Sequence, residues 1–278
     1  MIYAYASRLN QAVQGEGRCH SVFHHVINFE FNGHPLISII EEGYPAQPYG
    51  LILQSSDFKQ LKQHVKQEDA CHKNGHLFIF GNVRVLETGF YDSDLSILVQ
   101  DTRRSTSLML EWVKTYFVRM GIRNELYHRV IESKSTDSTI EYGLSKLRDL
   151  SFKVSDFAYC LGYGAGLTPS SDDMCVGYFA TLQGMRITTP EYCASLHQWI
   201  VEIGDHYTNK ISLKFIQCIL INQVEEDVAE CLNALFNLPH EVFVQCADAL
   251  MMHGSSSGSD VLLGIYLALQ AIQRSQNG

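Results

Sequence analysis

The stretch Gly162-Tyr163-Gly164-Ala165-Gly166-Leu167-Thr168-Pro169-Ser170-Ser171-Asp172-Asp173 sets three alternating glycines ahead of a run of hydroxyls and two adjacent carboxylates. An apolar segment, Met174 to Leu182, follows at once. Glycines tolerate positive φ and let backbone N–H groups approach a ligand closely. Pro169 blocks helix propagation from upstream, and Ser170 or Ser171 is suited to cap the helix that follows. A helix N-terminus framed by glycine amides and hydroxyls suits an anion such as phosphate or carboxylate. The two Asp residues point elsewhere. Beside a bare phosphate they repel it, so they call for a divalent cation such as Mg2+, or for amide or ammonium donors on a substrate.

A second stretch repeats the pattern: Gly254-Ser255-Ser256-Ser257-Gly258-Ser259-Asp260, ahead of Val261 to Leu269. In both, an Asp stands four residues before a Gly, Asp173 with Gly177 and Asp260 with Gly264. Two such loop-to-helix junctions predict one composite polar site. The local alternative stays open: capping accounts for Ser-x-x-Asp at a helix start, and close helix packing accounts for the two glycines.

Other chemistry-bearing residues are less specific. His20-x-x-x-His24 and His72-x-x-x-His76 have helical metal-ligand spacing but lie in strand or turn patterns. Glu225-Glu226-Asp227 reads as a helix start or a solvated face. Arg103-Arg104 reads as a surface pair, with a cation for an anionic substrate as the alternative. There is no nucleophile elbow, P-loop lysine or dinucleotide fingerprint.

The elements that must position these residues fall into two textures. Ser21 to Phe31, Pro35 to Ile40, Tyr49 to Gln54, His76 to Val85 with a break at Gly81-Asn82, and Leu95 to Gln100 read as strands, with a turn at Asn32-Gly33. Asp57 to Gln67 reads as a short helix. After Thr102 the apolar spacing becomes helical. Helices are predicted at Thr106–Arg119, Asn124–Ser133, Ser138–Leu150, Met174–Leu182, Pro190–Gly204, Ile211–Leu220, Glu225–Phe236, His240–Met252 and Val261–Gln273, with a polar connector at 134–138. Strands first and helices afterwards predict an α+β chain, with a β-rich part over 1–104 and a larger helical part over 105–278.

The net charge of −9 argues against a nucleic-acid partner, which needs a basic face. No apolar run approaches the ~18 residues of a membrane span. No basic region and apolar core open the chain, so the expected location is the cytoplasm. The eight cysteines form no C-x-x-C pair and read as reduced, mostly buried thiols.

The two Gly/Asp motifs resemble those of a bacterial family associated with one subunit of a multi-component oxamate carbamoyltransferase. The matching residues are Gly162, Gly164, Gly166, Leu167, Thr168, Pro169, Ser170, Asp172, Asp173 and Gly177, then Gly254, Ser257, Gly258, Asp260, Leu262 and Gly264. Ser171 stands where many members have Gly. Between the motifs, Thr208-x-x-x-Ser212 is similar to a family element in which a hydroxyl-bearing segment opens a helix, and His25 to Phe29 is similar to an early family strand. The resemblance implies a subunit, with partner subunits, of the system that interconverts oxalurate plus phosphate with oxamate plus carbamoyl phosphate at the end of allantoin degradation.

The expected site therefore joins Asp172, Asp173 and Asp260 as donor-binding, metal-binding or general-base groups. Gly164, Gly166, Thr168, Ser170, Ser171, Thr208, Ser212, Ser256, Ser257 and Gly258 orient a small ureido or carboxylate substrate. Two rival readings remain: a stand-alone metal-dependent hydrolase or transferase, and a non-catalytic scaffold subunit.

Overall fold

A computed structural model describes residues 1–91, 95–97, 104–122, 124–131, 139–252 and 256–277. The chain divides into two compact units, Met1–Leu95 and Ser96–Gly278. The order is α+β, with the β-rich unit first and the helices after it.

The first unit is a closed barrel of eight strands: β1 (Ile2–Ala6), β2 (Gly15–Val22), β3 (Val26–Phe31), β4 (Ile37–Glu41), β5 (Gly50–Leu53), β6 (Ala70–Asn74), β7 (Leu77–Phe80) and β8 (Val83–Phe90). The strands run around it in the order β1-β5-β4-β3-β2-β6-β7-β8, and β8 closes on β1 in parallel. β4 and β5 are also parallel, whereas the other neighbours are antiparallel. Inward positions carry Phe29, Phe31, Ile37, Ile39, Leu51, Leu53, Phe78, Phe80 and Val85, all buried, so side chains fill the barrel. One helix, α1 (Ser55–His64), adds Phe58 and Leu61 to the same core.

Two strand expectations change, and β1, most of β2 and β6 lie outside the expected strands. Ser21 to Phe31 is broken at Phe23–His25 into the end of β2 and the whole of β3. β1 and β6 are strands without a strong apolar alternation. In β1 the buried positions are Ile2, Ala4 and Ala6, while Tyr3 and Tyr5 face out. In β6 the inward pair is Cys71 and Lys73, and the Lys73 ammonium donates to Gly75 O at 2.6 Å and lies 3.5 Å from Glu87 Oε1. Leu95 to Gln100 is not a barrel strand: Ser96 makes an isolated bridge with Gln223 of the helical unit, and 98–100 lie outside the described residues.

The second unit contains α2 (Thr106–Met120), α3 (Glu125–Ile131), α4 (Thr139–Arg148), α5 (Ser170–Gly184), α6 (Pro190–Ile203), α7 (Lys210–Leu220), α8 (Glu226–Asn237), α9 (His240–Leu250) and α10 (Ser257–Asn277). The tail of the predicted Asn124–Ser133 helix and the connector at 134–138 lie outside the described residues. α5 and α10 are buried on nearly every side over Ser171–Leu182 and Gly258–Leu269, as helices at the centre of a core are. α2, α3, α4 and α9 pack on α10, and α7 and α8 pack on α5.

The eight cysteines are free, and seven are buried. No helix of the described residues is long and apolar enough to cross a membrane.

Candidate functional site

α5 and α10 cross where neither has a side chain. A Cβ on Gly177 would lie 1.9 Å from Val261 O, and a Cβ on Gly264 would lie 1.9 Å from Met174 O. The contact is reciprocal. The next residues obey it too, because the Gly177 position faces Ile265 N and the Gly264 position faces Tyr178 N. One offset in numbering therefore relates 174 to 261, 177 to 264 and 178 to 265, and the crossing has a local two-fold character. Both glycines are thus the close-packing device weighed from the sequence. One helical turn upstream they bring together the two N-terminal ends.

The same offset relates Ser170 to Ser257 and Asp173 to Asp260, and these residues also pair across the crossing. The Asp173 carboxyl meets Ser257 of α10, and the Asp260 carboxyl meets Ser170 of α5. The Ser-x-x-Asp spacing is therefore not a capping box within one helix. Pro169 holds the N-cap position of α5 without a side-chain cap bond, which corrects the expected Ser170 or Ser171 cap.

Each carboxyl has further partners. Asp172 Oδ1 accepts from Gly162 N at 2.8 Å, and its Oδ2 accepts from the Thr208 hydroxyl. Asp173 Oδ2 accepts from Thr168 Oγ1 at 2.8 Å. Asp260 Oδ1 accepts from Asn124 Nδ2 at 2.9 Å. Ser212 lies beside Asp172, and Ser256 beside Asp260, close enough to favour the ionised forms. Yet Ser212 Oγ and Asp260 Oδ2 are buried and complete no hydrogen bond of normal geometry. Asp172, Asp173 and Asp260 are 1%, 5% and 0% exposed, which makes each charge costly. Burial pushes the Asp173 carboxyl up to about 7, against the pull of Thr168 and Ser257, and the neighbouring Asp260 and Asp172 push the same way. Burial also raises Asp172, opposed by Thr208, Gly162 and Ser212, and raises Asp260, opposed by Ser170, Asn124 and Ser256.

The glycine loop folds onto the start of α5. Gly162, Gly164 and Gly166 have φ of 76°, 112° and 127°, where a Cβ is strained. A Cβ on Gly164 would also strike Ser170, 2.8 Å from its backbone N. Tyr163 N donates to Ser171 Oγ and Ser171 N to Tyr163 O, both at 2.9 Å. Asp172 N and Asp173 N turn back to Pro169 O. These contacts count against an anion at the Gly162–Tyr163 end of the loop. The Gly162 and Tyr163 amides and the first-turn amides of α5 are taken by the chain itself, and carboxylates occupy the place an anion would fill.

Other predicted members have different roles. Gly166 is exposed. Gly258 serves helix packing, since a Cβ there would lie 2.0 Å from Leu250 O at the end of α9. Ser256 O accepts from Asp260 N and from Ser259 Oγ, closing the first turn of α10. Gly254 and Ser255 lie outside the described residues, as does Arg103. Arg104 is no substrate cation: its guanidinium donates to Ala234 O, Leu235 O and Leu238 O at the end of α8 and lies 4.2 Å from the Trp112 ring centroid. Among the described residues, no group of three or more His, Cys, Asp or Glu side chains is set to hold a metal ion. The Asp172, Asp173 and Asp260 carboxyls turn to hydroxyls and amides, so neither the Mg2+ reading of these residues nor the metal reading of the two His pairs gains support from the geometry. His72 and His76 face Glu16 and Glu87.

Two groups escaped the sequence. Asn124, just ahead of α3, carried no motif. Glu125 and Arg129 of α3 hold Tyr163 of the glycine loop: the Tyr163 hydroxyl donates to Glu125, and the Arg129 guanidinium lies 5.4 Å from the ring centroid. Arg129 is itself engaged by Glu125 at 2.8 Å and Glu141 at 2.9 Å. Two hollows of the helical unit, one lined by Tyr178, Phe179 and Tyr192 and one by Gln183, Cys193 and His197, lie along the later part of α5 and not at its carboxylate end.

This arrangement can hold hydrogen-bond donors and carry a proton at neutral pH. Residues 160–269 match a family model described as oxamate carbamoyltransferase subunit AllH, and residues 2–91 match one described as the AllH family N-terminal domain. No curated protein and no solved structure matches the chain. The first of the two matched stretches spans both Gly/Asp motifs, and together they cover most of the sequence. The chain belongs to the family of the oxamate carbamoyltransferase subunit AllH.

Proposed function

We propose that this chain is the carboxylate-bearing subunit of a carbamoyltransferase that interconverts oxalurate plus phosphate with oxamate plus carbamoyl phosphate. One observation carries the reading: three buried carboxyls gather at the α5–α10 crossing, one of them with a proton affinity near neutrality. A ureido group offers N–H donors, and the buried Asp260 Oδ2 completes no hydrogen bond of normal geometry within the chain. Asp172 and Asp260 hold the N–H groups, and Thr208 and Ser212 flank them.

In the forward direction a phosphate oxygen forms a bond to the carbamoyl carbon, and the bond from that carbon to the oxamate nitrogen breaks. The departing nitrogen needs a proton. Protonated Asp173 gives it, and the hydrogen phosphate proton restores Asp173, so atoms and charge balance. General acid catalysis of this kind contributes about 10²–10⁴ in rate when the group titrates near working pH. Phosphate needs a cationic cradle. Arg129 is engaged by two glutamates, and the Asp172 and Asp260 carboxylates repel an anion, so in this reading a partner subunit supplies the cradle.

The test is incorporation of labelled inorganic phosphate into carbamoyl phosphate, with oxalurate supplied, by the chain alone and in a confirmed assembly with its partner subunits. Turnover only in the assembly is expected. An assembly that cleaves oxalurate as fast without phosphate, or does not cleave it, rejects the reaction. An assembly in which Asp172→Asn and Asp260→Asn variants turn over normally makes the chain a scaffold.

A further inference from the structure

Two-fold character at the α5–α10 crossing gives Asp173 and Asp260 equivalent backbone settings and equivalent cross-helix serines, Ser257 and Ser170. Each sits in the first turn of its helix, meets the serine that starts the other, and stands one turn before the glycine contact. A symmetric pair of buried carboxyls has no reason to divide its labour. Something outside the symmetry must decide which one gives up its proton first.

The surroundings break the symmetry in an identifiable way. Asp173 is met by hydroxyls, Thr168 and Ser257, and by the neighbouring carboxyls Asp172 and Asp260. A hydroxyl can donate to a carboxylate or accept from a carboxylic acid, so it tolerates either form. Asp260 is met by Ser170 and Ser256, and in addition by the amide of Asn124. An amide N–H only donates. Its orientation is fixed, because the same side chain's Oδ1 accepts from Tyr127 N at 2.7 Å and so caps α3. Asn124 therefore presents Nδ2 to Asp260 Oδ1 at 2.9 Å and has no freedom to turn its oxygen there. A fixed donor favours the charged acceptor over the neutral acid.

The other charged groups near the pair do not undo this. From α5 there is Asp172, tied to Gly162 N and Thr208. α7 presents Ser212 at this end, which is uncharged. α3 and the glycine loop present Glu125, Arg129 and Tyr163, which bind one another. The buried thiol of Cys175 lies on the same turn of α5 as Asp172 and is paired with Cys160.

We propose that Asn124 is the positioning residue of this site: by donating to Asp260 it holds Asp260 as the charged acceptor and leaves Asp173 as the member of the pair that carries the exchangeable proton. Asn124 touches no reacting atom in this scheme and acts through Asp260. The inference deepens the carbamoyltransferase reading and rests on it for its catalytic meaning, but its physical content needs neither substrate nor partner.

The experiment is a pH titration of the 278-residue chain with carboxyl-labelled aspartate, followed by NMR. In the unsubstituted chain one buried carboxyl is expected to titrate near neutrality. That signal is lost in Asp173→Asn and kept in Asp260→Asn. Asn124→Ser retains a capping oxygen but no longer reaches Asp260 with an N–H. In that background the near-neutral signal is expected to change owner: lost with Asp260→Asn, kept with Asp173→Asn. If the signal stays with Asp173 in the Asn124→Ser background, Asn124 is only a helix cap and the proposal is overturned. Should Asn124→Ser unfold, Asn124→Asp keeps the cap oxygen and the shape while removing the donor. It is expected to add a second carboxyl titrating at or above neutrality that disappears with Asp260→Asn, and its absence overturns the proposal. A failed activity assay with these titrations intact would reject the reaction and leave the role of Asn124 standing.

Discussion

A carboxyl buried beside two others keeps its proton until the pH nears neutrality, and in this chain that carboxyl is Asp173. Its ordinary value is 3.8 and its folded value is about 7, so the folded state binds the proton more tightly than the unfolded one. The sign follows from linkage. The stabilisation is complete below about pH 4 and is lost as the pH rises through about 7. Asp173→Asn removes this dependence. The difference in unfolding free energy between variant and parent should therefore shift in the variant's favour across that window, by up to about 4 kcal/mol at ~1.4 kcal/mol per pH unit. Denaturant melts at pH 4.5 and pH 7.5 check it, and parallel curves at the two pH values would contradict it. Thr208 offers a second residue-scale test. Thr208→Val leaves Asp172 Oδ2 without its hydroxyl donor and should cost about 1–3 kcal/mol by urea unfolding.

At the scale of elements, the site exists because two helices touch backbone to backbone. Gly177→Ala and Gly264→Ala each put a methyl carbon 1.9 Å from a carbonyl oxygen. Either should cost at least about 3 kcal/mol, or prevent the helical unit from folding, because the obstacle is backbone and cannot rotate away. Gly121, at the end of α2, has φ of 64°, and a Cβ there would meet nothing within 4 Å, so Gly121→Ala should cost only about 1 kcal/mol. Thermal melts of the three variants decide the matter. These elements also show what a sequence can and cannot display. Asp173–Gly177 and Asp260–Gly264 were legible as a repeated spacing because both crossing helices need the same local device. The helices themselves were legible from their apolar spacing. β1 and β6 were not, since an Ala/Tyr alternation and an inward Lys73 disguise the buried face. Asn124 was illegible because its role comes from a contact with Asp260, far along the chain. The anion expectation lost ground because the Gly162 and Tyr163 amides are taken by Asp172 and Ser171, a pairing that only the folded loop defines.

At the scale of the whole molecule, the chain has two separate hydrophobic cores, one inside the barrel and one around α5 and α10. Phe78 belongs to the first, and both tryptophans, Trp112 and Trp199, lie in the helical unit. Phe78→Ala should cost the barrel about 3–5 kcal/mol. Thiol labelling of Cys19 and Cys71, read by mass spectrometry, should then begin at lower denaturant, while the tryptophan fluorescence transition stays within error of the parent. Coincident shifts of both probes would mean that the two cores unfold as one. The barrel is matched by a family model of its own, and the carboxylate site lies wholly in the helical unit.

The most direct measurement of the central claim is phosphate-dependent cleavage of oxalurate by the assembled complex containing Asp173→Asn, with assembly and melting temperature verified against the parent. A loss of at least about 10²-fold in kcat in an intact complex is the predicted result. Parental turnover by the same intact complex would contradict the assignment of the proton-carrying role to Asp173.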